Sequence, residues 1–172
     1  MDAMRVGAYP GTFDPPTIAH VAIAEAAVRQ CGLDAVDLIV NPEPLGKAGV
    51  RPLPSRVAML EAVAARRPWL RVVVTDRMHL ADIAEGYDVL VLGADKWAQV
   101  LDPAFYPTVD ERDAAVDRLP ELAVAPREGR DLPDGCTVLE LDGSLATVSS
   151  TAARGGRVSF VPEEVRPLLE SG

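Results

Sequence analysis

Residues 6–20, VGAYPGTFDPPTIAH, decide how the rest of the chain reads. Val6 to Tyr9 is a short apolar strand that Pro10 and Gly11 stop. Pro15 and Pro16 stiffen the exit, and from Ile18 apolar residues recur at helical spacing. The pattern is strand, tight loop, helix. Gly11 lets backbone approach a bulky anion and tolerates angles closed to other residues. Thr12 and Phe13 would offer backbone N–H groups there. Thr17 falls at the N-cap or first turn, and His20, three residues on, shares its helix face near the positive end of the dipole. Such a set of donors suits phosphate oxygens. The same spacing also fits a histidine that merely caps the helix.

Outward from this unit the chain keeps alternating. The first helix ends at Gly32, and VDLIVNP is a second strand followed by a Gly/Pro loop. A second helix is expected from Ser55, a plausible N-cap, until Pro68 stops it. LRVVVTD and YDVLVLG are the third and fourth strands, with a helix of two or three turns expected in the segment between them. ADKWAQVL opens a further helix that Pro103 ends, and residues 110–119 form a polar helical stretch. ELAVAP and TVLELD are strands five and six, separated by the charged Gly/Pro loop REGRDLPDGC, and a final helix is expected over 162–170. Short Val/Leu/Ile strands alternating with helices predict one α/β domain over 1–172: a Rossmann-like, doubly wound, mainly parallel sheet with helices on both faces. Such sheets bind ligands at the carboxyl ends of their strands.

The composition narrows the function classes. With 48% hydrophobic and 25% charged residues, a disordered chain is excluded. No apolar run approaches the length that spans a bilayer, and no export signal is visible, so a cytoplasmic location is expected. Cys31 and Cys136 have neither disulfide-framework nor zinc spacing. The net charge of −9 argues against nucleic-acid and anionic-membrane partners, so phosphates must be held by local donors. Whether the chain forms a homo-oligomer is left open.

GTFDPPTIAH resembles the first motif of the HIGH-type nucleotidylyltransferase superfamily, G-[ST]-F-D-P-x-[HT]-x-G-H. Gly11, Thr12, Phe13, Asp14, Pro15, Thr17 and His20 match it in order. Thr17 stands where many members have a first histidine, and Ala19 where the motif has glycine. At the other end VSSTAAR, residues 148–154, is similar to the [IV]-S-S-T-x-x-R motif of nicotinate mononucleotide adenylyltransferases. Its hydroxyls and backbone N–H groups, with the forked cation Arg154 one turn later, suit a polyphosphate. Between them lies a G-A-D at the end of strand four, similar to the family's own.

The resemblance implies a reaction: ATP gives its AMP moiety to a small phosphorylated acceptor, most simply nicotinate or nicotinamide mononucleotide, with release of pyrophosphate, as in NAD biosynthesis. His20 and Thr17 would meet the α-phosphate, and Ser149, Ser150, Thr151 and Arg154 the β/γ end. Gly11, Thr12, Phe13, Asp14, Gly93 and Asp95 would line the nucleotide site. Lys47 and Arg56 would reach the acceptor's phosphate, and Trp97 would stack on its ring or sit half-buried in its helix. Mg²⁺ would be held mainly through ATP phosphates, with no protein metal site. His79 matches no motif and reads as structural or surface, and 110–117 as a solvated face. The short segment before strand four lacks the T-x-x-T-L pattern familiar near a pyridine site. A phosphopantetheine-like acceptor, a CTP-using cytidylyltransferase and a non-catalytic nucleotide-binding module therefore remain as alternatives.

Overall fold

The computed structural model describes residues 3–44 and 48–170. Six parallel strands form one sheet: β1 (Val6–Pro10), β2 (Ala35–Val40), β3 (Leu70–Val74), β4 (Val89–Gly93), β5 (Glu121–Ala125) and β6 (Thr137–Val138), in the order β3-β2-β1-β4-β5-β6. The chain thus winds outward from β1 in one direction and, after returning to β4, in the other. This reversal opens a crevice at the carboxyl ends of β1 and β4, where loops part to opposite faces. The expected doubly wound α/β sheet is what forms.

Alternation along the strands builds a core on each face. Tyr9, Val36, Leu38, Val40, Val89, Val91 and Ala123 pack with α1 (Ile18–Cys31) and α2 (Leu53–Ala65). Ala8, Ile39, Leu90, Leu92 and Val124 point the other way, onto α3 (Leu80–Ile83) and α4 (Ala94–Leu101). Side chains one residue apart on a strand serve opposite faces, which is why the strands read as unbroken apolar runs. Two short helices complete the set, α5 (Val109–Asp117) and α6 (Ser150–Arg154). Among the described residues no helix is long and apolar enough to cross a membrane.

Local chemistry sets the helix ends, not always where expected. Gly32 closes α1 in the left-handed region, φ 62°, where glycine costs least. Helix α2 starts at Leu53, two residues before Ser55, because Pro52 and Pro54 already hold the backbone angle of a first turn. Ser55 is inside the helix and caps nothing. The helix before β4 is a single turn, and the tail at 162–170 holds only a 3₁₀ turn at Arg166–Leu168, with Pro167 inside it. Strand β6 is just two residues long.

Candidate active site

The first motif leaves β1 through a loop that folds on itself. Phe13 takes φ 51° and turns its ring back, so that a Cβ on Gly11 would lie 2.8 Å from that ring. Gly11 is therefore required by its neighbour's side chain, whatever else it meets in the cleft it lines. Phe13 is buried, edge-on to Tyr9 and to the His20 imidazole, at centroid distances of 5.5 and 5.0 Å. The Asp14–Pro15 peptide is cis. Asp14 is buried too: its carboxylate accepts from Arg51 Nη1 at 2.6 Å and from the Arg51 backbone N–H at 3.1 Å. Asp14, expected in the nucleotide site, is here also an internal anchor, tying the first loop to the segment ahead of α2.

At the start of α1, Thr17 and His20 form a reciprocal cap. Thr17 Oγ1 accepts the His20 backbone N–H at 3.3 Å, and His20 Nδ1 accepts the Thr17 backbone N–H at 2.9 Å. Thr17 is 1% exposed, so it acts on His20 and the backbone first. The histidine both caps the helix and lines the cleft.

The second motif docks onto the first across 135 residues of sequence. Ser150 Oγ donates to the Pro15 carbonyl at 2.8 Å, and Arg154 Nη1 donates to the Asp14 carbonyl at 2.5 Å. Ser149 caps α6 by accepting the Ala152 N–H at 3.0 Å, and Thr151 Oγ1 accepts from Arg154 Nη2 at 3.2 Å. Two of the five N–H donors on Arg154 are so used, leaving the remainder for an anion.

These elements line one cleft of about 860 Å³, a volume within the range of small-molecule sites. Its walls include Gly11, Thr12, Phe13, Asp14, Thr17 and His20 from the first unit, Gly93, Asp95 and Lys96 from the end of β4, and Ser149, Ser150, Thr151 and Arg154. Nothing lies within 4 Å of a Cβ placed on Gly93, so its bare face opens into space. Asp95 does not stand alone there. Arg130 Nε donates to it at 2.8 Å and Arg127 Nη1 lies 3.1 Å away.

A second, smaller pocket shares the Pro10–Gly11–Thr12 wall, Lys96 and Gln99 with the cleft. Its other walls are mostly apolar, among them Ile39, Met78, Leu80 and Phe105. The His79 and Tyr106 rings stack in it, centroids 5.4 Å apart and 24° from parallel. Burial pushes the Tyr106 phenol above its ordinary pKa. His79, expected to be structural or on the surface, is part of this lining.

The three expected acceptor contacts fare differently. Lys47 lies outside the described residues. Arg56 is fully buried, and its guanidinium donates to the carbonyls of Arg51, Thr12, Asn41 and Pro42. It stitches the ends of β1 and β2 to α2 and reaches neither pocket. Trp97 is 8% exposed, packed in the core with Leu92 and Val100, and lines neither pocket. Helical geometry turns Asp95 and Lys96 to the cleft and Trp97 into the core. Sequence reasoning missed Arg51, Arg127 and Arg130. The last two had a signal: they follow directly on the carboxyl end of β5, where a doubly wound sheet gathers its ligand contacts.

The cytidylyltransferase-like family model matches residues 8–156, most of the chain. A probable nicotinate-nucleotide adenylyltransferase of Exiguobacterium sibiricum is 28% identical, over 97% of this chain and 96% of the relative. One of Salinibacter ruber is 29% identical, over 98% and 96%. A shorter match, 32% identical to the Albidiferax ferrireducens relative of that name, covers 62% of this chain and about half (49%) of the relative. Among solved structures, the Plasmodium falciparum nicotinic acid mononucleotide adenylyltransferase complexed with NaAD superposes with a TM-score of 0.74 at 12% identity, covering 98% of this chain and 96% of that one. At that identity the likeness is one of fold. The family model's span includes both motifs that meet in the cleft, and the chain belongs to the cytidylyltransferase-like family of nucleotidylyltransferases.

Proposed function

We propose that this protein is an adenylyltransferase that moves AMP from ATP to a phosphomonoester, nicotinate mononucleotide or a close relative, and releases pyrophosphate. The observation that carries this reading is the docking of α6 on the first loop through Ser150–Pro15 and Arg154–Asp14. It brings the hydroxyl-and-arginine motif and His20 into one cleft. The relatives' shared name supports the choice of acceptor. So does the adjoining pocket, whose apolar walls and stacked His79 and Tyr106 rings suit a flat aromatic ring.

An acceptor phosphate oxygen attacks the α-phosphorus of ATP. One P–O bond forms there as the bond to the β-phosphate oxygen breaks, and the electron pair leaves on pyrophosphate. The attacking oxygen is already anionic at neutral pH, so the protein need not remove a proton. What remains is alignment and charge stabilisation. His20, with Nδ1 occupied by the Thr17 N–H, presents its Nε2–H as a donor toward an α-phosphate oxygen. Arg154 and the start of α6 take the β/γ end, and Gly93 gives the nucleotide room.

Asp14 is committed to Arg51 and Asp95 to two arginines, so a Mg²⁺ ion here would be held by the nucleotide's oxygens and water. Bound in that way, it would draw charge off the phosphates. A matrix of ATP and CTP against nicotinate mononucleotide, nicotinamide mononucleotide and phosphopantetheine, read by pyrophosphate release, tests the proposal. Turnover should require ATP and a pyridine mononucleotide. Turnover confined to CTP or to phosphopantetheine would replace it.

A further inference from the structure

The cleft and the adjoining pocket meet along one short boundary. Pro10, Gly11 and Thr12 from the end of β1, with Lys96 and Gln99 from α4, line both chambers. Lys96 and Gln99 share a helix face by their spacing, while Trp97 and Val100 turn into the core. Among the described residues Lys96 is the one cation common to the two chambers. His20, Arg127, Arg130 and Arg154 line only the cleft, and Arg77 and His79 only the pocket. The other boundary groups offer an anion little. Pro10 has no N–H, the Gly11 N–H donates to the Ile39 carbonyl at 3.0 Å, and the Thr12 and Gln99 side chains are uncharged.

The transfer makes a demand at this boundary. With the nucleotide in the cleft and the acceptor's ring in the pocket, the acceptor phosphate and the α-phosphate must meet between them. Both are anions, and their repulsion is felt more in a protein cleft than in bulk water. A lysine ammonium is a compact charge with three donors on a flexible stem, able to touch oxygens of two phosphates at once.

We propose that Lys96 is a catalytic residue of the transfer, the cation shared by the acceptor phosphate and the α-phosphate as they come together. It moves no proton. It stays an ammonium while the acceptor oxygen bonds to the α-phosphorus, the bond to the β-phosphate oxygen breaks, and pyrophosphate takes the electron pair. Its contribution is to the meeting of the two substrates, so it acts on the ternary complex more than on either binary one. The proposal rests on the reading of cleft and pocket as nucleotide and acceptor chambers.

Lys96→Met keeps the side chain's length and removes its charge, whereas Lys96→Arg keeps the charge. With Mg·ATP and nicotinate mononucleotide, Lys96→Met should lose on the order of a hundredfold in kcat, with each KM changed by less than about threefold. Lys96→Arg should recover part of that loss. A second measurement needs no turnover: calorimetric titration of nicotinate mononucleotide into the protein alone and into protein saturated with the α,β-methylene analogue of Mg·ATP. Lys96→Met should bind the mononucleotide like wild type when it is alone, and roughly tenfold more weakly beside the analogue. An unchanged kcat in Lys96→Met overturns the proposal. So does an affinity loss that is equal with and without the analogue, which would make Lys96 an anchor for the acceptor alone. If wild type turns over no acceptor but the analogue-dependent loss is found, the shared cation stands and the adenylyltransferase reading falls. Turnover of ATP and nicotinate mononucleotide that is indifferent to Lys96 does the reverse.

Discussion

The Thr17 backbone N–H points at His20 Nδ1 across 2.9 Å. A backbone N–H can only donate, so Nδ1 is a lone pair and the ring proton sits on Nε2. In that tautomer His20 offers an N–H donor on its Nε2 side. Imidazole ¹⁵N spectra of the folded protein should show the Nε2–H tautomer at this residue. His20→Gln, which retains an N–H donor on a chain of similar reach, should keep more kcat than His20→Ala. A histidine acting as a proton acceptor would make the two variants equally poor.

Thr17 acts through that histidine. Thr17→Val keeps the shape and loses the hydroxyl that accepts the His20 N–H, at a cost of about 1 kcal/mol in urea unfolding. It should also lower kcat more than it raises KM, because the donor is less well aimed. Thr17→Ser should restore both. A kcat that follows stability alone across the two variants would make Thr17 only a cap.

Two glycines of the site should respond in opposite ways. A methyl on Gly11 meets the Phe13 ring at 2.8 Å, so Gly11→Ala should lower the melting temperature. A side chain on Gly93 meets no protein atom within 4 Å, and its φ of −85° suits any residue. Gly93→Val should therefore melt like wild type and raise the KM for ATP by filling the nucleotide's space.

Arg56 and Asp14 belong to the frame. Arg56→Met leaves four carbonyls of the β1 and β2 ends without their donor, and Asp14→Ala leaves Arg51 unpaired beside the cleft. Each should cost on the order of 3 kcal/mol in urea unfolding. An Arg56→Met protein of wild-type stability with a raised acceptor KM would return that residue to the binding site.

Strand alternation and the loop after β1 were legible in the sequence because both depend on neighbours a few residues away. Spacing alone also placed Thr17 and His20 on one helix face. The misreadings came from contacts that no local pattern carries. That Gly11 also answers to Phe13 could not be read, because the ring folds back through a left-handed turn. Arg56 points inward because the ends of β1 and β2 present carbonyls to it. Trp97 is turned to the core by the sheet beneath α4. Arg127 and Arg130 read as loop charges until β5 is seen to deliver them to the cleft.

The most direct test of the central claim is pyrophosphate release from Mg·ATP and nicotinate mononucleotide by wild type and His20→Ala side by side. The account predicts one pyrophosphate per dinucleotide formed in wild type, and a kcat lower by about two to three orders of magnitude in a variant that still folds and binds ATP. Wild type that binds ATP yet releases no pyrophosphate with any phosphomonoester, or a His20→Ala variant that turns over like wild type, would contradict it.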